Sequence, residues 1–173
     1  MLLRSAAALV FGAVTIFWAA PSVEVMGWSG GLYLLSTGLL LMWGIPATGF
    51  QRDSRTGKVL SAAGSVLAGA GFALAVLHGD LLFGVIAALG LGVTGALELY
   101  CGLTFRGRHV LARDWIASGI IGLGTASILP FFINLGAHAL LGVAGGGAII
   151  SGVLWALAGL TIRHDARTEA GNP

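Results

Sequence analysis

The 173-residue sequence contains few charged side chains, four prolines and a single cysteine. Charged residues make up 9% of the chain, too few to cover the surface of a water-soluble domain. Cys101 alone can form neither an intrachain disulfide nor a thiolate metal cluster. No G-x-S-x-G, P-loop or H-E-x-x-H motif occurs, and no pair of carboxylates lies within one apolar stretch. We therefore expect no enzyme activity, no cofactor and no metal.

What the chain does contain is apolar sequence, since 57% of its residues are hydrophobic and the mean hydropathy is +0.94. A helix needs roughly 20 apolar residues to cross a bilayer. Six apolar stretches of about that length lie at 5–20, 28–49, 59–77, 81–104, 115–133 and 136–162. The sequence predicts an all-α membrane protein of six transmembrane helices, a single domain over 1–163 in contact with the lipid bilayer, followed by a short polar cytoplasmic tail at 164–173.

The basic residues predict the orientation of these helices. All nine lie before the first stretch, in the second and fourth connections, or after the last stretch: Arg4, Arg52, Arg55, Lys58, Arg106, Arg108, Arg113, Arg163 and Arg167. The positive-inside rule then places both termini in the cytoplasm, and we expect the chain to lie in an inner membrane. Scattered in this way, the basic residues form no stripe that could bind nucleic acid.

The first apolar stretch has a second interpretation, as a cleaved signal peptide. Arg4 precedes it, and Ala19 and Ala20 would form a small-residue cleavage site. Pro21 directly after that site, and the internal repeat described next, favour a membrane span instead.

A pair formed by a hydroxyl residue and a glycine recurs every 57 residues, as Thr37-Gly38, Thr94-Gly95 and Ser151-Gly152. The period predicts three helical hairpins, at about 1–50, 58–104 and 114–162, all in the same orientation. Such parallel repeats differ from the inverted repeats of many transporters. We interpret the pairs as packing and hydrogen-bonding positions between helices.

The 29 glycines predict close packing of helices rather than a glycine-lined pore. Small residues recur at a spacing of four on three of the predicted helices. The predicted packing seam consists of Gly84, Ala88, Gly92, Ala96, Ser118, Gly122, Ala126, Gly142 and Gly146. The same seams could also serve a homo-oligomer or a membrane-protein partner.

Glu98 is the one formal charge within the predicted spans, and an intramembrane carboxylate is a candidate functional group. Thr94 lies one turn earlier on the same helix face, so a hydroxyl is expected beside it. Two interpretations remain open. Glu98 either lies sheltered inside the bundle as a proton- or cation-linked group, or it bends toward the cytoplasmic surface and pairs with Arg106, Arg108 or Arg113.

The predicted outer connections carry acids and histidines but no Lys or Arg. Histidine is the side chain that changes charge between pH 5 and 8. The candidate pH-responsive groups are Glu24, His78, Asp80 and His138. They are equally explained as ordinary polar loop residues, and they lack the spacing of a metal site. The cytoplasmic His109 and His164 are interpreted as ordinary loop residues.

The residues from Leu3 to Pro21, followed by Gly31-Leu32-Tyr33-Leu34-Leu35-Ser36-Thr37-Gly38, resemble the hairpin repeat of the HdeD-like family of small bacterial membrane proteins. The segment from Asp114 to Pro130 resembles a second copy, whereas the middle repeat has Asp80 in place of proline. The resemblance implies three hairpins and a role in acid resistance, and it supplies no catalytic residues.

Three functions compete. The first is a non-enzymatic inner-membrane protein of the acid or envelope stress type. The second is a small transporter or channel that uses Glu98 as its coupling group. The third, an enzyme acting on lipid, has no supporting group of residues.

Overall fold

The computed structural model describes residues 2–170, except for the side chains of 162 and 165–170. Within this range the chain forms six α-helices and two short 3-10 segments, Pro46–Thr48 and Leu129–Leu135. The helices are α1 (Leu2–Phe17), α2 (Val23–Gly44), α3 (Arg55–Val76), α4 (Asp80–Thr104), α5 (Ala112–Ile128) and α6 (Gly136–Ala170).

Side-chain caps and glycines explain where several helices begin. Ser22 and Ser54 accept hydrogen bonds from the backbone N–H groups of Val25 and Gly57, which caps α2 and α3. Before α6, Gly136 has φ of 83°, a conformation that a side chain would disfavour. The 3-10 segment that continues α5 therefore ends at this glycine.

The helices are long and apolar, so the chain is a multi-pass helical membrane protein. Among the described residues, four helical stretches are long and apolar enough to cross a bilayer: Val23–Gly44, Arg55–Val76, Asp80–Thr104 and Ala112–Thr161. The prediction of six spans is therefore not met by this measure. One reason is that α1 has only 16 residues. The other is that α5, the 3-10 segment and α6 form one uninterrupted apolar stretch.

Neighbouring helices form a ring in chain order, which α1 closes by packing against α6. They run in opposite directions, since the start of α5 approaches the end of α4 at Gly102 and the start of α6 approaches the start of α4 at Gly84. The closest helix pairs are α2 with α3, α4 with α5, and α1 with α6. These pairs lie between the predicted hairpins, whereas α1 with α2 and α5 with α6, within them, pack less extensively. The predicted hairpin is thus a unit of sequence repetition, but the tight packing unit joins one repeat to the next.

The close pairs are built on small residues spaced seven apart, not four. On α4, a Cβ added to Gly95 would lie 2.9 Å from the Leu123 amide nitrogen, and one added to Gly102 would lie 2.8 Å from the Ala112 carbonyl oxygen. The same spacing occurs at Gly31 and Gly38 on α2, Gly64 and Gly71 on α3, and Gly145 and Gly152 on α6. A seven-residue repeat keeps one face of a helix toward its partner over several turns.

The predicted seam has residues spaced four apart, and such residues move steadily around the helix instead of keeping one face. Some predicted members therefore lie away from the helix contacts. Ala96 is exposed, and nothing lies within 4 Å of a Cβ added to Gly142 or Gly146. Other predicted members do lie between helices. Gly84 faces Ile133 and Leu140, Gly92 faces Ala126, Gly122 faces Gly95, Ala88 packs against the core, and Ser118 is buried.

The two ends of the bundle differ in the charge of their connections. The basic end carries Arg4 and the connections 45–54 and 105–111, and the opposite end carries the connections 18–22, 77–79 and 129–135. Within the predicted tail at 164–173, α6 continues to Ala170 at the basic end. The remainder, 171–173, lies outside the described residues.

The buried apolar residues form two clusters. The larger fills the middle and the opposite end and includes Met26, Leu74, Phe83 and Leu140. The smaller lies near the basic end and includes Leu41, Leu60, Cys101 and Trp115. Along α4, Leu91 packs with the first cluster and Cys101 with the second, so Thr94 and Glu98 lie between them.

Candidate functional site

Glu98 is buried between the two apolar clusters, with 2% of its surface exposed. The Nη2 atom of Arg4, on α1, donates a hydrogen bond to its Oε1 at 2.9 Å and forms an ion pair with it. Ser118 Oγ, on α5, donates a short hydrogen bond to Oε2. Both carboxylate oxygens are therefore bound by the protein, and the three side chains connect α1, α4 and α5.

Neither of the two partners that the sequence predicts for Glu98, an arginine of the fourth connection and Thr94, is the one in the structure. Glu98 pairs with Arg4 rather than with Arg106, Arg108 or Arg113. Thr94 is buried on the same face of α4, but its hydroxyl donates to the Ala63 carbonyl oxygen at 3.3 Å. The hydroxyl beside Glu98 belongs to Ser118 instead.

The sequence contains a signal for the Arg4–Glu98 pair in the depth of the two residues along their helices. Arg4 lies 17 residues before Pro21, and Glu98 lies 18 residues after Asp80. Because α1 and α4 run in opposite directions from connections at the same end, equal distances along the chain give equal depths in the bundle. An unpaired charge inside a membrane is costly, so two opposite charges at one depth are expected to meet.

Arg4 is itself buried, with 6% of its surface exposed. Its guanidinium carbon lies 4.1 Å from the centre of the Trp155 ring, a cation–π contact that adds α6 to the same cluster. The neighbouring Ser5 hydroxyl donates to the Gly152 carbonyl oxygen at 2.8 Å. Arg4 Nε has no hydrogen-bond partner among the described residues.

The three repeated hydroxyl residues meet at the centre of the bundle. Thr37, Thr94 and Ser151 all line a cavity of about 30 Å³ together with Arg4 and Glu98. A cavity of this size can hold a water molecule. Thr37 Oγ1 has no partner among the described side chains and backbone groups, which makes it a polar atom that a water could satisfy.

A larger cavity of about 420 Å³ lies on the basic-end side of the ion pair. Arg4 lines both cavities. The remaining walls are mainly apolar and come from the start of α1, the end of α2 and the start of α5. The size is within the range of small-molecule binding sites.

From the sequence we interpret His109 as an ordinary loop residue. In the structure it belongs to a packed aromatic cluster at the basic end. Its ring stacks on Phe50 and Trp115, with centroid distances of 5.0 and 5.2 Å. The Leu111 N–H donates to its Nδ1 at 3.1 Å, so Nε2 carries the proton and donates to the Thr48 carbonyl oxygen at 2.8 Å. His109 thus links the connection 105–111 to the connection 45–54.

The candidate outer groups all lie at the opposite end. Glu24 lies in the first turn of α2, Asp80 is the first residue of α4, and His138 lies in the first turn of α6. His78 follows α3, and its ring centroid lies 6.2 Å from that of Trp28. In the part of the chain that the structure describes, no group of three His, Cys, Asp or Glu side chains could hold a metal ion.

The five tryptophans divide into three exposed and two buried residues. Trp18, Trp28 and Trp43 are exposed, as residues in an interfacial belt would be. Trp115 and Trp155 are buried and pack against His109 and Arg4.

Searches of protein-family models, curated proteins and solved structures find no match to this chain. The resemblance to the HdeD-like family therefore stays a prediction from the residues.

Proposed function

We propose that this chain is a non-enzymatic protein of the bacterial inner membrane that contributes to resistance against acid or envelope stress. The observation that carries the proposal is the paired state of the buried charge Glu98. Glu98 is bound by Arg4 and Ser118, which connect three helices, so these groups stabilise a bundle rather than form an open catalytic centre.

The proposed topology has six crossings in three hairpins, with both termini in the cytoplasm. The alternating helix directions support it, because α5 and α6 run in opposite directions although they form one apolar stretch. A thinned bilayer would accommodate the 16 residues of α1, and its exposed apolar side chains, such as Val10 and Ile16, support contact with lipid. The basic residues support the orientation.

The link to acid stress rests on the HdeD-like resemblance and on the titratable groups at the opposite end. In the proposed topology His78 and His138 face the periplasm, and histidine is the side chain type that pH sensors commonly use. That end carries no Lys or Arg, so the histidines are its basic side chains.

Survival of a deletion strain tests this proposal. We expect the deletion to lower survival at acidic pH but not at neutral pH, and the wild-type gene to restore it. A double variant, His78→Ala with His138→Ala, should restore survival less well at an equal amount of protein in the membrane. Asn134→Ala, at the same end, is the matched control. A deletion strain that survives acid and envelope stress like its parent would contradict the proposal.

A second candidate function is a small transporter or channel in which Glu98 couples to a proton or cation. The observation that favours it is the pair of cavities that share Arg4 as a lining residue and extend from the basic end to the centre. The purified protein in liposomes with a trapped pH dye tests this candidate. Proton movement that is lost in Glu98→Gln but kept in Glu24→Gln would support it, and the absence of proton and cation movement would exclude it.

A further inference from the structure

The larger cavity has an apolar wall and one polar end. Its wall includes Leu41, Trp43 and Gly44 at the end of α2 and Trp115 at the start of α5. Arg4 is the charged residue of its lining. A site with this division suits a ligand that has an apolar body and a small polar head.

The rim of the cavity indicates that such a ligand comes from the bilayer. Leu3 and Trp43 line the cavity and are also 57% and 68% exposed on the surface of the bundle. In a membrane-spanning bundle, exposed apolar side chains of this kind contact lipid tails. The cavity wall and the lipid-facing surface are therefore continuous at these two residues.

The charge at the polar end determines the class of head group. Glu98 already neutralises Arg4, and the pair is almost completely buried. A carboxylate or phosphate added beside the pair would leave one negative charge unbalanced in a medium of low dielectric constant. An uncharged head group adds no charge beside the neutral Arg4–Glu98 pair, so it avoids this cost.

We propose that this cavity binds an uncharged single-chain amphiphile with a hydroxyl or ester head group, of the monoacylglycerol class. Its acyl chain lies along Leu41 and Trp43, and its head group lies at the Arg4 end. The cavity is then a lipid-binding site at the basic end, whether the protein acts in stress resistance or in transport.

Gly44 offers a variant that fills the cavity without disturbing the bundle. It lines the cavity, and nothing lies within 4 Å of a Cβ added to it. Gly44→Phe would place a ring where the acyl chain is proposed to lie, with Gly44→Leu as a smaller alternative should the larger side chain prevent folding. Gly69 on α3 is the matched control, since a Cβ added there also meets nothing and Gly69 does not line the cavity.

The experiment measures binding of radiolabelled monoolein to the full chain purified in detergent. Wild type should bind it saturably, Gly44→Phe should bind about tenfold more weakly or worse, and Gly69→Phe should bind like wild type. Unlabelled monoolein should compete, whereas oleate at a pH where it is ionised should compete poorly. Absence of saturable binding, or equal binding by a folded Gly44 variant, would overturn the site. Equal competition by oleate would overturn the uncharged head group.

Discussion

The two ends of the bundle have different interiors, although the same six helices build both. From the basic end to the centre, the described interior holds an ion pair, a hydrogen-bonded histidine and two cavities. Toward the opposite end it holds a continuous apolar cluster with Met26, Leu74 and Phe83. The half at the basic end therefore contains polar groups and cavities, whereas the half at the opposite end is packed with apolar side chains.

The first prediction concerns the polar half and has the largest expected effect. Glu98→Ala leaves the buried Arg4 without its counter-charge, which should lower the free energy of unfolding by about 3–5 kcal/mol. Denaturant unfolding in detergent micelles, followed by circular dichroism, measures the change. Glu24→Ala, at the exposed start of α2, should change stability little.

A double variant separates the ion pair from general damage to α4. Replacing both Arg4 and Glu98 by leucine removes the pair without leaving a lone charge, so it should cost less than the sum of the two single replacements. Equal stability of Glu98→Ala and Glu24→Ala would mean that the pair does not stabilise the bundle.

The second prediction compares leucine truncations in the two halves. Leu74 is fully buried in the apolar half, so Leu74→Ala opens a new cavity and should cost about 2–4 kcal/mol. Leu41 lines the existing cavity and loses fewer contacts, so Leu41→Ala should cost about half as much. Denaturant unfolding of both variants in detergent micelles measures the two losses of stability. A larger loss for Leu41→Ala would show that the basic-end half is the better packed one.

Much of this architecture follows from composition and periodicity, because burial in lipid requires continuous apolar helices. The recurrence of the Thr-Gly and Ser-Gly pairs also has a structural counterpart. Thr37, Thr94 and Ser151 line one central cavity, while Gly38, Gly95 and Gly152 are points of close helix approach. The 57-residue period therefore predicts which residues of the three repeats lie together at the centre of the bundle.

The hydrogen bond from Ser118 to Glu98 and the seven-residue packing seam do not follow from composition. Glu98 and Ser118 meet only because α4 and α5 pack at one particular register, and local sequence does not contain that register. The spacing of four on α4 was a weaker guide than the spacing of seven, since each helix has enough glycines to match both. The relative depth of charges along antiparallel helices would have been the better signal for Arg4.

The last prediction concerns the aromatic cluster and has the smallest expected effect. His109→Phe keeps a ring between Phe50 and Trp115 but removes the hydrogen bonds to the Thr48 carbonyl and from the Leu111 N–H. Because the ring is only half-buried, water can replace part of what is lost, and we expect a cost of about 1–2 kcal/mol.

The matched control for this variant is His138→Phe, because His138 is exposed at the opposite end and its replacement should leave stability nearly unchanged. Thermal unfolding of both variants in one detergent, together with the emission of the buried Trp115, measures the difference. A loss confined to His109→Phe, with a shift in emission, would mean that this histidine holds the two basic-end connections together over the cavity. Equal stability of the two variants would mean that ring stacking alone suffices, and that the connections are held by their apolar contacts.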